Sequence, residues 1–280
     1  MDEIDRLKLF VTFGGVPLYH EMLRGKTYDD CIKSMCLSSD WVQGEVAALV
    51  ATEFSRTSRT MAILSAISHG AVGLKEISER VKADDSICLK DLEALEYVGI
   101  VGVVTPMLDA PRKSKMYVVK DNLFAFNFEV MDRIKDARHL KDKDLLLEQL
   151  RGRITTFMGK RFEMFCVDLI RENYLTNSIG KWWMDRDGVH EEVDIVAEST
   201  MDDNKYIILA ECKFRTSPVG FSEYNDLVRR SRRFDKYNIR LMMISASGFD
   251  AKMAEFARDE GVMLVGPDEI FGRAPMPELK

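Results

Sequence analysis

The sequence predicts an α-helical first part followed by an α/β domain with a mixed sheet. Up to Tyr97 the apolar residues recur mostly at helical spacing. Three strand-like segments lie between residues 181 and 214, and the last contains the continuous apolar run Tyr206–Ala210, which is typical of a strand covered on both faces. Helical and strand-like segments then alternate, at 221–236, 239–246, 250–260 and 262–265. This alternation predicts helices packed against a sheet.

Composition limits the possible functions. The chain has 280 residues, a length that suits more than one domain, with 46% hydrophobic and 31% charged residues. Its net charge of −6 gives no global attraction for nucleic acid, so such binding would need local basic patches. The five cysteines show no metal-binding spacing and are expected to be reduced. With no signal peptide and no apolar run of membrane-spanning length, we expect a cytoplasmic protein without membrane contact.

Helical segments and a hairpin make up the first part. Two glycines before Pro17 mark a turn that starts a helix, and we expect no Walker A loop there. Helical patterns at 56–68, 73–81 and 86–97 precede two strand-like segments, 100–105 and 116–119. This order predicts a winged helix. We expect four segments: a helical segment at 1–55, the winged helix at 56–128, a helical linker at 129–153 and the α/β domain at 154–280.

The charges of this winged helix argue both for and against DNA binding. Its third helix is rich in acidic residues and would repel phosphates, which favours a packing or regulatory role. The loop between the strands carries Lys113 and Lys115, which could touch a nucleic-acid backbone. The aromatic cluster at 124–128 is interpreted as core packing, with base stacking as the alternative.

The chemistry-bearing residues lie on two adjacent strands of the α/β domain. Alternation around Asp194 predicts Val193, Ile195 and Ala197 on the apolar face and Asp194 on the other. At the end of the buried strand, alternation places Glu211 and Lys213 on one side. Two carboxylates beside a core strand need a partner, and a divalent cation held by Asp194 and Glu211 would meet that need. The alternative is a surface ion pair between Glu211 and Lys213, with Asp194 capping a turn.

An aspartate on one strand and Glu-x-Lys on the next resemble the PD-(D/E)XK nuclease superfamily. The resemblance implies a metal-dependent nuclease that uses Mg²⁺ or Mn²⁺. It also implies that Glu163, on the preceding helix, belongs to the site and that the carbonyl of Cys212 adds a metal ligand. Lys213 would act on the water or on the transition state. Val193 stands where the superfamily's name has proline, a departure that leaves the ligand Asp194 in place.

Two further segments resemble archaeal AAA+-type ATPases. Gly14-Gly15-Val16-Pro17-Leu18-Tyr19 is similar to a segment in their helical lid, and Asp121 followed by Phe126 and Phe128 is similar to the segment after their winged helix. The resemblance implies that the chain corresponds to the C-terminal half of such an ATPase, comprising the winged helix and the DUF234 region. On this resemblance we expect the chain to lack the nucleotide-binding core of those ATPases.

A cluster of basic residues follows the Glu-x-Lys strand. Arg229, Arg232, Arg233 and Lys236 would share one face if 221–236 were a single helix, and that face could bind nucleic-acid phosphates. A solvated charged surface is the alternative.

Three functional hypotheses follow. The first is a metal-dependent nuclease acting on DNA, an endonuclease or exonuclease, with the winged helix positioning or regulating it. The second is a non-catalytic module that binds nucleic acid or protein, with an ATPase or other protein partner and no ATP site of its own. The third is a transcription regulator, which the acidic third helix disfavours.

Overall fold

The computed structural model describes residues 2–108, 115–137, 141–186, 189–201 and 204–279. By its internal contacts the chain divides into two compact units, Met1–Val104 with Lys115–Met158, and Thr105–Ser114 with Gly159–Lys280. The predicted fold class, a helical N-terminal part followed by an α/β part with a mixed sheet, is confirmed. Within the described residues no helix combines the length and the hydropathy that a membrane crossing requires.

The first unit is mostly helical. Its elements are α1 (Glu3–Phe13), α2 (Pro17–Met22), α3 (Tyr28–Cys31), a π-helix (Ile32–Leu37), α4 (Trp41–Glu53), α5 (Thr57–Ser68), α6 (Leu74–Val81), α7 (Asp85–Tyr97), β1 (Val101–Val104), β2 (Met116–Val119), α8 (Asn122–Glu129) and a 3-10 helix (Met131–Ala137). α5 to α7 and the antiparallel pair β1–β2 follow the predicted order of three helices and a hairpin. Its identification as a winged helix stays a prediction.

Aromatic packing forms the core of this unit. The ring of Phe126 lies 5.7 Å from that of Phe13 and 5.4 Å from that of Phe157, both in edge-on geometry. All three side chains are buried. The core-packing interpretation of the aromatic cluster is therefore confirmed. In α7 the buried residues are Cys88, Leu92 and Leu95, whereas Leu89 is 36% exposed.

A Gly-Lys-Thr sequence, Gly25–Thr27, ends like a Walker A loop but does not form one. His20 stands where that motif has its first glycine, and the segment joins two helices where the motif requires a strand before it. Thr27 caps α3 instead, because its Oγ1 accepts a hydrogen bond from the backbone N–H of Asp30 at 3.2 Å.

A single helix, α9 (Lys143–Asn173), runs through the expected boundary between the linker and the α/β domain at residues 153 and 154. The contact-based division between the units falls later, between Met158 and Gly159. α9 therefore contributes its first half to one unit and its second half to the other.

The second unit contains a five-stranded mixed sheet. Its further elements are β3 (Thr176–Arg186), β4 (Val189–Met201), β5 (Asn204–Lys213), α10 (Phe221–Ser231), a 3-10 turn (Arg232–Phe234), β6 (Ile239–Ser245), α11 (Ala251–Glu260), β7 (Met263–Val265) and α12 (Pro267–Ile270). The strands lie in chain order, antiparallel from β3 to β5 and parallel from β5 to β7. Residues of α10 and α11 share a hydrophobic core with the sheet, including Leu227, Met253, Leu209 and Met243.

The predicted helix 221–236 is shorter than expected. α10 ends at Ser231, and the chain tightens into the 3-10 turn. This turn buries Phe234, whose ring centroid lies 5.1 Å from that of Trp182 on β3. Burial of this side chain explains why the regular helix stops before the basic cluster ends.

We expect Phe234→Ala to destabilise the protein by about 3–5 kcal/mol, because it removes a buried aromatic side chain and leaves a cavity beside Trp182. Leu175→Ala is the matched control, since the Leu175 side chain is 72% exposed and should contribute little. Urea unfolding followed by circular dichroism measures both. Equal losses in the two variants would contradict the packing role of Phe234.

Candidate active site

A β-bulge sits at Asp194. On β3 and β4, Gly180 pairs with Val196 and Trp182 pairs with Val193, so β4 advances one residue more than β3 between these pairs. The extra residue interrupts the alternation, and Val193 and Val196 belong to the same core cluster. The predicted simple alternation, with Val193, Ile195 and Ala197 on one face, is therefore wrong. Both faces of β4 are covered here, since every residue from Val193 to Ala197 is buried.

The bulge places Asp194 where β4 and β5 separate. Their regular pairing ends with Ile195 opposite Ala210. Beyond that pair the Asp194 carboxylate accepts a hydrogen bond from the backbone N–H of Cys212, with 2.9 Å between N and Oδ2. The Asp194 side chain thus continues the link between the two strands after their ladder has ended.

Asp194 and Glu211 are 7% and 4% exposed, so neither is a surface carboxylate. Lys213 Nζ donates to Glu211 Oε1 at 2.6 Å. Arg230 Nη2 lies 2.9 Å from Glu211 Oε2, but it is not aligned for a hydrogen bond, so this buried oxygen has a cation nearby and no directed donor. The hypothesis of a plain surface ion pair at Glu211 is therefore wrong.

Glu163 joins the site from α9 through a lysine on β3. Lys181 Nζ lies 3.0 Å from Glu163 Oε2 and 3.3 Å from Glu192 Oε2. The side chains of Glu163 and Lys181 are each 28% exposed. α9, β3, β4 and β5 thus all contribute charged side chains to one region.

Burial and the neighbouring charges alter the acidity of these groups. Burial, followed by the charges of Glu211 and Glu163, raises the pKa of Asp194 to about 7. Burial also raises the pKa of Glu163, although Lys181 opposes that shift. For Lys213 burial lowers the pKa, but the charge of Glu211, the hydrogen bond to Glu211 and the charge of Asp194 together outweigh burial, and the net change is upward. Lys213 therefore stays charged at neutral pH, whereas Asp194 is only partly ionised there.

Cys212 lies between Glu211 and Lys213 and its side chain is directed to the other face of β5. Its thiol is buried beside that of Cys166 on α9, and burial raises the pKa of both thiols. Only the backbone carbonyl of Cys212 is therefore a candidate ligand.

The predicted basic face is partly engaged by an acidic residue of β4. Arg229 Nη1 lies 3.1 Å from Glu191 Oε1, and Arg233 contacts the other oxygen of the same carboxylate. Arg232 is exposed, and Lys236 lies 5.0 Å from the centroid of the Tyr237 ring. Because α10 ends at Ser231, these four residues do not share one helical face.

Two further lysines, Lys113 and Lys115, were predicted to contact nucleic acid from the wing. Lys115 is exposed, immediately before β2 in the first unit. Lys113 lies outside the described residues.

Sequence analysis missed three residues that the fold brings to the site. Lys181 lies inside a strand, where a charged residue has no distinguishing pattern. Arg230 belongs to the same basic cluster but lies off its predicted helical face, and it is the arginine that contacts Glu211. Glu191 precedes the bulge. The charges of Lys181 and Glu191 within strand-like segments were the available indication that these residues belong to the site.

Asp194 and Glu211 supply two buried carboxylates to this region, so a metal here would need further ligands from the backbone or from water. Over the described ranges, no group of three or more His, Cys, Asp and Glu side chains is placed to hold a metal ion. Lys181, Lys213 and Arg230 neutralise the carboxylates instead.

Comparison with known proteins gives one family match. Residues 127–226 match DUF234, described as archaeal and bacterial proteins of unknown function. This range contains Glu163, Asp194, Glu211 and Lys213. The predicted similarity to DUF234 is confirmed for this part of the chain, while the similarity to AAA+ ATPases stays a prediction. No curated protein matches the chain significantly.

Several solved structures are similar at low identity. The MspJI restriction endonuclease in complex with a 27-mer oligonucleotide has 17% identity and a TM-score of 0.30, covering 47% of this chain and 31% of that one. Protein VC1899 from Vibrio cholerae has 14% identity and a TM-score of 0.29, covering 95% and 58%. Restriction endonuclease FokI bound to DNA has 11% identity and a TM-score of 0.25, covering 78% and 45%. The chain thus spans less than two thirds of each of these proteins.

We expect Asp194→Asn to stabilise the metal-free protein, increasingly so from about pH 4 to pH 7 and constantly above. The pKa of Asp194 is raised to about 7 in the folded state, above the ~3.9 of the unfolded chain. Across this interval the folded protein retains a proton that the unfolded chain has released, so wild-type stability falls as the pH rises.

The measurement is the Tm in the presence of a chelator, recorded across that pH range for wild type and variant. Asp168→Asn is the control, because Asp168 is an exposed aspartate on α9. A difference between Asp194→Asn and wild type that does not change with pH would contradict the raised pKa.

Proposed function

We propose that the second unit is a metal-dependent nuclease that hydrolyses phosphodiester bonds in DNA. The observation that carries the proposal is the burial of Asp194 and Glu211 side by side at the end of the sheet, with Lys213 on Glu211. Keeping two carboxylates out of water costs several kcal/mol in the absence of compensation. Use of their negative charge in a functional site is a physical reason for the protein to retain the two carboxylates.

The donor set fits Mg²⁺ or Mn²⁺. Carboxylate oxygens of Asp194 and Glu211 and the carbonyl of Cys212 are hard ligands, which these ions prefer. Glu211 Oε2 is buried without a directed donor, so the present contacts do not fully compensate the Glu211 carboxylate. When bound, the ion would neutralise charge on the phosphate and make a coordinated water more acidic.

The residues of the chain have separate roles in the proposed hydrolysis. Lys213 would stabilise the negative charge that develops on the phosphate, since its ammonium group lies at the reacting end of β5. Glu163 would orient water, and Lys181 holds Glu163 in position. The carboxylate of Asp194 fixes the end of β5 through the N–H of Cys212.

Substrate contacts would come from the basic residues. We assign phosphate contacts to Arg229, Arg232, Arg233 and Lys236 in the second unit, and to Lys113 and Lys115 in the loop of the proposed winged helix. The winged helix, at 56–128, would position or regulate the nuclease domain at 154–280, connected by the linker at 129–153. An ATPase or another protein is a proposed partner.

The alternative is a non-catalytic module that binds nucleic acid or protein and derives from the C-terminal part of an archaeal ATPase. One observation favours it: cations already contact Glu163 and Glu211. Such a neutralised cluster could serve only to hold α9, α10 and the sheet together. Activity measurements separate the two functions.

We expect Lys213→Ala to retain metal and DNA binding and to lose cleavage by roughly a hundredfold or more, because it removes a charge that acts on the transition state. Glu163→Gln should lose less, since it changes a water contact. Cleavage of plasmid and single-stranded DNA with Mn²⁺ is the assay. Lys252→Ala on α11 is the control. Cleavage that survives undiminished in Lys213→Ala would contradict the role of Lys213, and a wild type that binds but never cleaves would favour the alternative.

We expect Glu191→Gln to strengthen DNA binding and to steepen its salt dependence. The Glu191 carboxylate occupies Arg229 and Arg233, so neutralising it frees cations for phosphates. The double variant Arg229→Ala/Arg233→Ala should do the opposite, by roughly one unit of slope per lost contact.

Titration of a fluorescent duplex at several salt concentrations, in Ca²⁺, measures both effects. Glu255→Gln on α11 is the matched control for the change in charge. Identical slopes in wild type, Glu191→Gln and the double variant would show that these arginines do not contact DNA.

A further inference from the structure

Two cations hold the two oxygens of Glu211, and they are anchored very differently. We propose that Arg230 is a positioning residue that holds Oε2 permanently, while Lys213 on Oε1 is an exchangeable cation that leaves when a divalent metal binds. This inference rests on the proposed metal-dependent function and specifies how the site changes between its metal-free and metal-bound states.

Arg230 is fixed by three separate contacts. Its Nε donates to the carbonyl of Asp226 at 3.0 Å, its Nη1 donates to the carbonyl of Glu192 at 2.5 Å, and its Nη2 lies 2.9 Å from Glu211 Oε2. Its side chain is 11% exposed. One planar guanidinium therefore ties α10 to β4 and to β5. Moving it would break all of these contacts and leave the carbonyl of Glu192 without this donor.

Lys213 is held much less firmly. Its ammonium group contacts Glu211 Oε1, and its side chain is 32% exposed, about three times the exposure of Arg230. Its four-carbon stem is flexible, and an ammonium group can exchange one oxygen partner for another at little cost. Lys213, the cation that we expect to leave, is therefore accessible to solvent.

Charge repulsion decides that one of the two must move. Two positive unit charges ~4 Å apart repel by several times the thermal energy at an effective dielectric constant of ~20, and a divalent ion doubles this. Glu211 cannot keep Lys213, Arg230 and a divalent ion at its two oxygens. Because Arg230 has three anchors and Lys213 has one, the metal replaces Lys213.

The exchange has a chemical consequence at Lys213. In the metal-free protein its charge is neutralised by Glu211, so it offers little to a phosphate. Displacement by the metal releases the ammonium group at the end of β5, where the proposed substrate binds. The structure thus makes the availability of Lys213 conditional on metal binding.

The test is Mn²⁺ binding to the full chain, measured by calorimetry without nucleic acid. Lys213→Met removes the competing cation and should bind Mn²⁺ roughly tenfold more tightly. Arg230→Met releases Glu211 from its position and should bind at least roughly tenfold more weakly, and Arg230→Lys should restore part of the loss. Lys252→Met and Arg258→Met, both exposed on α11, are the matched controls.

The direction of the change in Mn²⁺ affinity distinguishes a positioning role of Arg230 from competition with the metal. Tighter binding by Arg230→Met would mean that Arg230 is the cation displaced, and it would overturn the proposal. Unchanged binding by both Arg230→Met and Lys213→Met would also overturn it.

A wild type that binds no Mn²⁺ would refute the proposed function, and the anchoring is then decided by melting of the metal-free protein. Arg230→Met should lower the Tm by roughly 10 °C, because it leaves a buried carboxylate with weaker compensation. Lys213→Met should lower it by less than half as much, and Arg230→Lys should lie closer to wild type. Equal losses in Arg230→Met and Lys213→Met would overturn the assignment of Arg230 as the permanent anchor.

Discussion

The burial of two carboxylates at the end of β5 is the constraint on which the second unit depends. An ionised carboxylate out of water is unfavourable by several kcal/mol unless charges and hydrogen bonds compensate. The fold compensates Glu211 with Lys213 and Arg230, and it compensates Asp194 with the N–H of Cys212. α10 must therefore dock where Arg230 reaches β4 and β5, and Lys181 must lie where it reaches Glu163 on α9. The placement of the helices and the electrostatic compensation of the site therefore depend on each other.

Much of this arrangement could be predicted from the sequence. The order of helices and strands follows from hydrophobic periodicity, and the common face of Glu211 and Lys213 follows from strand alternation, which the contact at 2.6 Å agrees with. The bulge at Asp194 could not be predicted, because an extra residue in a fully buried strand leaves the apolar pattern unchanged. The 3-10 turn after α10 could not be predicted either, because the stabilisation from burying Phe234 against Trp182 depends on the tertiary structure.

Charged residues were the hardest to assign from sequence. Five basic residues lie between Arg229 and Lys236, and helical spacing grouped four of them while excluding Arg230. In the fold Arg230 is the least exposed of the five, and Arg229 and Arg233 contact Glu191. Spacing along a helix shows which residues are neighbours, but the partner strand decides which of them is buried. Likewise, the boundary expected between residues 153 and 154 falls inside α9, which no proline interrupts.

The mixed topology of the sheet has a consequence for the order of folding. β3, β4 and β5 are successive antiparallel strands and can form through short-range hairpin closure, whereas β6 must return past α10 to pair in parallel with β5. Arg230 belongs to that returning segment. We therefore expect Asp194 and Glu211 to stay hydrated in an early meander and to become enclosed only in a late step. In that step, desolvation of the carboxylates and docking of the guanidinium occur together, so the slow closure of the crossover also neutralises the site.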